Sequence, residues 1–202
     1  MTDNERKEIL LKAKPILFNV DMVRAILNGE KTVTRRIVKN NPEECTSKVV
    51  NGVCKLCDDK GGFYLPDDYV KAYSPYQVGD ILYVRETWKQ ATTDYAGGGC
   101  GLTDLYLYKA DKDIDTTGMM VEEKWHPSIH MPKEAARIFL QVTDVRAERL
   151  QDIDDDGVVA EGLEIGAPFD ELWDSTIKKS DIDKYGWAAN PFVWVIEFER
   201  ID

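Results

Sequence analysis

The sequence predicts an α+β fold: mainly β, with flanking α-helices, its strands forming a small and mostly antiparallel β-barrel. Three observations predict it. Strand-like runs stand at 81–88, 136–150 and 191–201. Apolar residues at helical spacing are confined to short segments between strands. Strands and helices do not alternate in the regular way of a doubly wound parallel sheet. The 202 residues suffice for one domain with a real core. The chain reads as a single domain over 1–202, with long loop insertions at about 39–77 and 89–135.

Residues 2–13 read as a short helix, with Thr2 as N-cap and Glu5 three residues on, ended by Pro15. Residues 16–19 (ILFN) read as a strand. Asp21 is placed to cap a second helix whose Met22, Val23, Ile26 and Leu27 share a face. Gly29 follows as the residue past the helix end, where a positive φ costs glycine little. Residues 32–38 (TVTRRIV) have strand character, and 39–78 read as irregular. A Val-Gly-Asp turn at 78–80 precedes a strand over 81–88 (ILYVRETW), which ends on Trp88. Residues 91–124 read as loop around a strand at 105–109. Residues 136–150 (ARIFLQVTDVRAERL) give the strongest strand signal. A helix starting at Asp152 or Asp154 runs to about Glu161 and stops at Gly162. A further helix covers 168–179, with Phe169, Leu172, Trp173 and Ile177 at helical spacing. The closing strand, 191–201, puts Phe192, Trp194, Ile196 and Phe198 on one face.

A composition of 43% hydrophobic and 31% charged residues is that of a soluble globular protein, and 10% aromatics argue against disorder. The net charge of −11 argues against broad duplex DNA binding, whose affinity comes from displacing phosphate counterions. The charge is uneven. Residues 1–40 hold nine Lys/Arg against five Asp/Glu, whereas 151–185 hold three against eleven. A local anion or nucleotide site at the basic end fits this distribution better than a polymer-binding face. No run approaches the ~20 apolar residues that cross a membrane. The N-terminus, MTDNERKEILLKAK, is too charged for a secretory leader. The expectation is a cytoplasmic protein with reduced cysteines and no membrane partner.

The stretch NGEKTVTRR, from Asn28 to Arg36, concentrates the chemistry. It is not a P-loop: Glu30 separates Gly29 from Lys31, and no glycine stands five residues before Gly29. What remains is a helix stop at Gly29, a lysine at the turn, and a strand in which Thr34 and Arg36, two apart, share a face. Ammonium, hydroxyl and guanidinium groups that converge would suit an oxygen-rich or amide-bearing ligand. Lysine also loses its proton readily on desolvation, which would make it a base for a nearby hydroxyl. Spacing alone is more simply satisfied by a solvated basic edge strand after a helix cap.

GEKTVTRR resembles the Gly-x-Lys-x-x-x-x-Arg signature of the ASCH domain, a relative of the PUA-like RNA-binding barrels. Four further segments resemble that family in order: VGDILYVRETW, RIFLQVTDV, LQDIDDDGVVAEGLE and FVWVIEFERI. Together they cover roughly half the chain, in the pattern of phage and prophage ASCH proteins. The resemblance implies a PUA-like β-barrel and recognition of a nucleoside, a modified one included, or of single-stranded RNA. The pocket would be formed by Lys31, Thr34 and Arg36, beside Gly29. Some small ASCH proteins are amidohydrolases of N4-acetylcytidine, and Lys31, Thr34 and Glu161 match their lysine, threonine and glutamate. By that resemblance Lys31 would activate the Thr34 hydroxyl and Glu161 would polarise the site or protonate the leaving amine. A phage-related interaction factor without catalysis is a third reading.

Other residues are candidates at a barrel mouth. Arg85, Trp88, Trp125 and His130 could contact a ligand, an aromatic ring by stacking on a base; packing of the loops is the plainer reading. His126 and His130 are four apart, but Pro127 and Pro132 oppose a continuous helix, so they are not read as a metal pair. The expectation is no cofactor. Cys54 and Cys57, with Cys45 and Cys100, could make a four-ligand zinc site, although one Cys-x-x-Cys unit is half of the usual pattern. The run Asp154-Asp155-Asp156 reads as acid at a helix start, where it favours the dipole, rather than as a magnesium site.

Overall fold

The structure, a computed structural model, describes residues 3–39, 43–50, 53–57, 62–95, 99–112, 114 and 120–201. Its elements run α1 (Asp3–Lys12), β1 (Lys14–Leu17), α2 (Val20–Leu27), β2 (Val33–Ile37), β3 (Glu43–Val50) and β4 (Val53–Cys57). Next come β5 (Phe63–Tyr64), α3 (Pro66–Tyr73), β6 (Ile81–Arg85), β7 (Trp88–Tyr95), β8 (Gly99–Tyr108) and β9 (Met120–Val121). The chain closes with β10 (Phe139–Arg149), α4 (Asp155–Ala160), α5 (Phe169–Thr176), α6 (Ile182–Tyr185) and β11 (Phe192–Ile201).

The fold is mixed α and β. Five strands form one sheet in the order β1-β6-β10-β11-β2, and two three-stranded sheets have the orders β3-β4-β5 and β8-β7-β9. Among the described residues no ladder joins β1 to β2, so the five-stranded sheet is open rather than closed into a barrel. Both stretches read as irregular carry structure. Residues 39–78 hold β3, β4, β5 and α3, and 91–124 hold most of β7 with β8 and β9. Asn51-Gly52, between β3 and β4 in sequence, is the strongest two-residue hairpin signal. No helix among the described residues is long and apolar enough to cross a membrane.

The chain forms two compact units: residues 1–29, 81–141 and 200–202 in the first, and 30–80 with 142–199 in the second. In the first unit β1 pairs parallel with β6, and β6 pairs antiparallel with the start of β10 through Tyr83 and Phe139. Its core joins Ala13, Tyr83, Trp88, Met131, Ala135, Ala136 and Phe139. In the second unit β2 pairs antiparallel with β11, Arg35 lying opposite Val195 and Arg36 opposite Trp194. Its core gathers Val33, Leu150, Val158, Phe169, Trp173, Val193 and Val195. Each such side chain, fully buried, stabilises by about 1.5–3 kcal/mol. The other face of β11 carries Phe192, Trp194, Ile196 and Phe198, all buried.

Two boundaries differ from expectation. Strand β6 ends at Arg85, and Trp88 opens β7 instead of ending the earlier strand. Helix α2 is capped by Asn19, not Asp21: the Asn19 Oδ1 accepts the Met22 N–H at 2.9 Å. The Phe18 N–H still donates to the Arg85 carbonyl at 3.2 Å, so the chain stays extended through Phe18 and turns at the next residue. Asp21 instead sits in the first turn, where its charge favours the helix dipole. Asn19→Ala is expected to cost about 1 kcal/mol, read from the urea midpoint at constant m-value. An unchanged midpoint would show that this cap is dispensable.

Candidate functional site

Helix α2 ends at Asn28, and Gly29 takes φ 76°, a left-handed conformation that reverses the chain. Six residues of α4 hold the other half of the site. Asp154 caps that helix, its Oδ1 accepting the Gly157 N–H at 2.8 Å, and Gly162 at φ 85° ends it. Glu161 therefore sits at a helix C-terminus, where the negative end of the dipole disfavours a carboxylate. Two cations compensate.

Lys31 lies in an isolated antiparallel bridge with Glu161. Its Nζ donates to the Glu161 carbonyl oxygen at 3.0 Å and also to the Oε2 of the same residue. Arg35 Nη1 donates to Glu161 Oε1 at 3.2 Å. All three side chains are nearly inaccessible to water: 0% for Lys31, 4% for Arg35 and 7% for Glu161. Burial lowers the Lys31 pKa from its ordinary value, and the Glu161 charge only partly offsets that. The backbone closes the same corner, since Thr32 N–H donates to the Ala160 carbonyl at 2.9 Å. Gly157 allows the approach of Arg35: a Cβ there would lie 3.0 Å from Arg35 Nη2.

The structure thus brings Lys31 and Glu161 together, as the resemblance implies, and adds Arg35, which sequence reasoning missed. Thr34 stands apart from this contact. It is fully buried, and its hydroxyl has no hydrogen-bond partner, so Lys31 does not hold it as a base would. The period of two along β2 explains the split. Arg35 lies opposite Val195, whereas Thr34 and Arg36 lie opposite Ile196 and Trp194 on the alternate face.

Arg36 opens onto a cavity of about 300 Å³, lined also by Tyr69, Tyr73, Trp194, Pro75 and Lys39. Tyr69 stacks on Trp194 with centroids 5.8 Å apart and a 26° interplanar angle, and lies 4.7 Å from the Tyr73 ring. Burial lowers the Arg36 pKa against the fields of Glu161 and Tyr76. The two tyrosines come from α3, which begins at Pro66 with Asp67 and Asp68 in its first turn. Tyr69 and Tyr73 are four apart in PDDYVKAY, a helical spacing that could have revealed them.

The remaining candidates lie in the first unit. Arg85 Nη2 donates to the Ile129 carbonyl, while its Nε is buried without a partner. Trp88 stacks on His126 at 4.8 Å and meets the edge of Tyr106 at 5.7 Å, and its Nε1 is buried without a partner. The Lys89 ammonium sits 4.8 Å above the Trp125 ring. His130 is exposed in a short 3-10 turn, and His126 Nε2 contacts Glu122 Oε2 at 3.0 Å. These contacts describe packing of the 125–132 segment.

The side chains of Cys45, Cys54, Cys57 and Cys100, like Thr2, lie outside the described residues. Among those described, no group of three or more His, Cys, Asp or Glu could hold a metal ion. Asp152, Asp154 and Asp156 do line a second cavity of about 270 Å³ with Glu148, Glu197, Arg35 and Arg146. There Arg146 is held by Asp144, Glu148 and Glu197, and Asp154 is committed as a cap. No protein-family model, no curated protein and no solved structure matches the chain.

Proposed function

We propose that the chain is an ASCH-type protein that binds a nucleobase, with Arg36 as the residue that reads it. One observation carries this reading: β2 turns Arg36 into a concave space walled by Tyr69, Tyr73 and Trp194. A cavity of about 300 Å³ is at the lower end of small-ligand sites, and aromatic walls with a few polar groups are their usual lining. A guanidinium offers planar donors to the oxygen and ring-nitrogen edge of a base. In this reading Lys31, Arg35 and Glu161 form the clasp that fixes β2, and the PUA-like architecture belongs to the five-stranded sheet. Gly29 would serve by ending α2 where the chain turns toward the clasp.

The buried, unpartnered hydroxyl of Thr34 favours a second reading, an amidohydrolase of an acylated nucleoside such as N4-acetylcytidine. Lys31, its pKa already lowered, would first pass a proton to Glu161 and then accept the Thr34 hydroxyl proton as Thr34 attacks the acyl carbon. The C–N bond would break as the amine takes the proton from Glu161, and water would then release the acyl group from Thr34.

Titration calorimetry with a panel of natural and modified nucleosides tests both, with N4-acetylcytidine also assayed for acetate release. Saturable binding without turnover is the expected result. Turnover abolished by Thr34→Ala would establish the second reading instead, and neither binding nor turnover would reject both.

A further inference from the structure

We infer that the Arg36 cavity takes a nucleoside 5′-phosphate, the base entering among Arg36, Tyr73 and Trp194 and the phosphate resting on Lys39 at the rim. The inference rests on the nucleobase-binding reading and adds to it the charge and size of the ligand.

The lining is selective in charge. It contains two cations, Arg36 and Lys39, and no carboxylate, although the whole chain carries a net charge of −11. The second cavity of the same unit is lined by five carboxylates against two arginines. An anion is therefore favoured at the first cavity and disfavoured at the second. The two cations differ in kind. Arg36 is half-buried beside the rings, with a planar fork anchored by its Nη1 donation to the Arg35 carbonyl at 3.1 Å. Lys39 is exposed, a mobile point charge of the type that meets phosphate.

The rim is built to hold its place. Lys39 follows the end of β2, where the Val38 N–H donates to the Phe192 carbonyl at 3.1 Å. The Tyr185 hydroxyl donates to the Lys39 carbonyl at 2.9 Å. Depth is graded as well: Tyr69 and Trp194 are 1% and 4% exposed, whereas Tyr73 at the lip is 38% exposed. Tyr73 is braced by Tyr64, whose ring meets it edge-on at 5.5 Å with the hydroxyls 3.1 Å apart. A planar group would thus slide in under an exposed ring and leave its charged end at Lys39. The overall negative charge repels a long polyanion, so a free mononucleotide suits this site better than an RNA chain.

The test is calorimetric titration of the full chain with uridine, UMP, guanosine, GMP and hexauridylate, on wild type, Lys39→Ala and Tyr73→Ala. Both variants alter exposed side chains, so folding should survive. At least one monophosphate should bind about tenfold or more tighter than its nucleoside, and Lys39→Ala should erase that difference by weakening the monophosphate far more than the nucleoside. Tyr73→Ala should weaken both by roughly 5- to 150-fold, the range of one lost base stack. Equal affinities for nucleoside and monophosphate would overturn the phosphate assignment and leave nucleobase binding standing. Nucleotide binding that neither variant changes would place the site elsewhere. Hexauridylate binding far tighter than UMP would replace the mononucleotide with RNA. No binding of any of the five would remove the parent reading as well.

Discussion

Glu161→Gln is expected to lower the unfolding free energy by about 3–5 kcal/mol, the range seen when one partner of a buried ion pair is removed. The cause is the two cations left behind. Lys31 and Arg35 are 0% and 4% exposed, and both direct N–H groups at the Glu161 carboxylate. Glutamine keeps the size and one acceptor oxygen but removes the charge that justifies burying them. The loss should also depend on pH. Burial already depresses the Lys31 pKa below 10.5, and removal of Glu161 depresses it further. Between the depressed folded value and 10.5 the unfolded chain binds more protons than the folded one, so stability rises with pH there. The deficit of Glu161→Gln should therefore shrink in alkaline solution, without vanishing, because Arg35 loses the same carboxylate partner. Urea unfolding at neutral and alkaline pH measures this. A loss under about 1 kcal/mol would reduce the cluster to the worth of a surface pair.

Arg137→Met is expected to have an effect of similar size in the first unit, with the opposite pH dependence. Glu86 is 1% exposed, and Arg137 meets it in a bidentate pair at 2.9 and 3.0 Å while reaching Asp111 at 2.8 Å. The guanidinium also lies 3.9 Å over the Tyr108 ring, whose hydroxyl is pushed up to about 12, chiefly by burial. Burial raises the Glu86 pKa above its ordinary 4.5, and Arg137 opposes the rise. Without Arg137 the rise grows. A carboxyl whose folded pKa exceeds its unfolded one contributes stability below the unfolded value and loses it as pH climbs through the folded value. The variant should thus lie closest to wild type below about pH 4.5 and fall about 3–5 kcal/mol short near neutrality. A gap that is constant over this range would mean that Glu86 keeps its charge by another partner.

The sequence carried different parts of this architecture unequally. Helix α5 and strands β10 and β11 were legible because their apolar residues repeat at one clear period, and α4 because an aspartate cap opens it and Gly162 closes it. The cap of α2 was less so: Asn19 and Asp21 both qualify by type, and the hydrogen bond from the Met22 N–H to the Asn19 side chain identifies the cap. Strands β3, β4, β7, β9 and the first half of β8 were hidden by glycines and polar residues that mimic loop composition, whereas the expected strand at 105–109 falls in the second half of β8. At the site, the pairing of Lys31 with Glu161, 130 positions away, follows from no local pattern; the resemblance alone suggested it. The motif also does not say which of Arg35 and Arg36 faces the carboxylate. One residue of register reverses the two roles, and the β2–β11 ladder sets that register.

The division of β2 into a structural face and a ligand face is the central claim. Side-chain NMR of the arginine Nε–H groups and the Trp194 indole during titration with UMP and GMP tests it most directly. The expected result is saturable shifts at Arg36 and Trp194, with Arg35 nearly still. Shifts led by Arg35, with Arg36 silent, would contradict it.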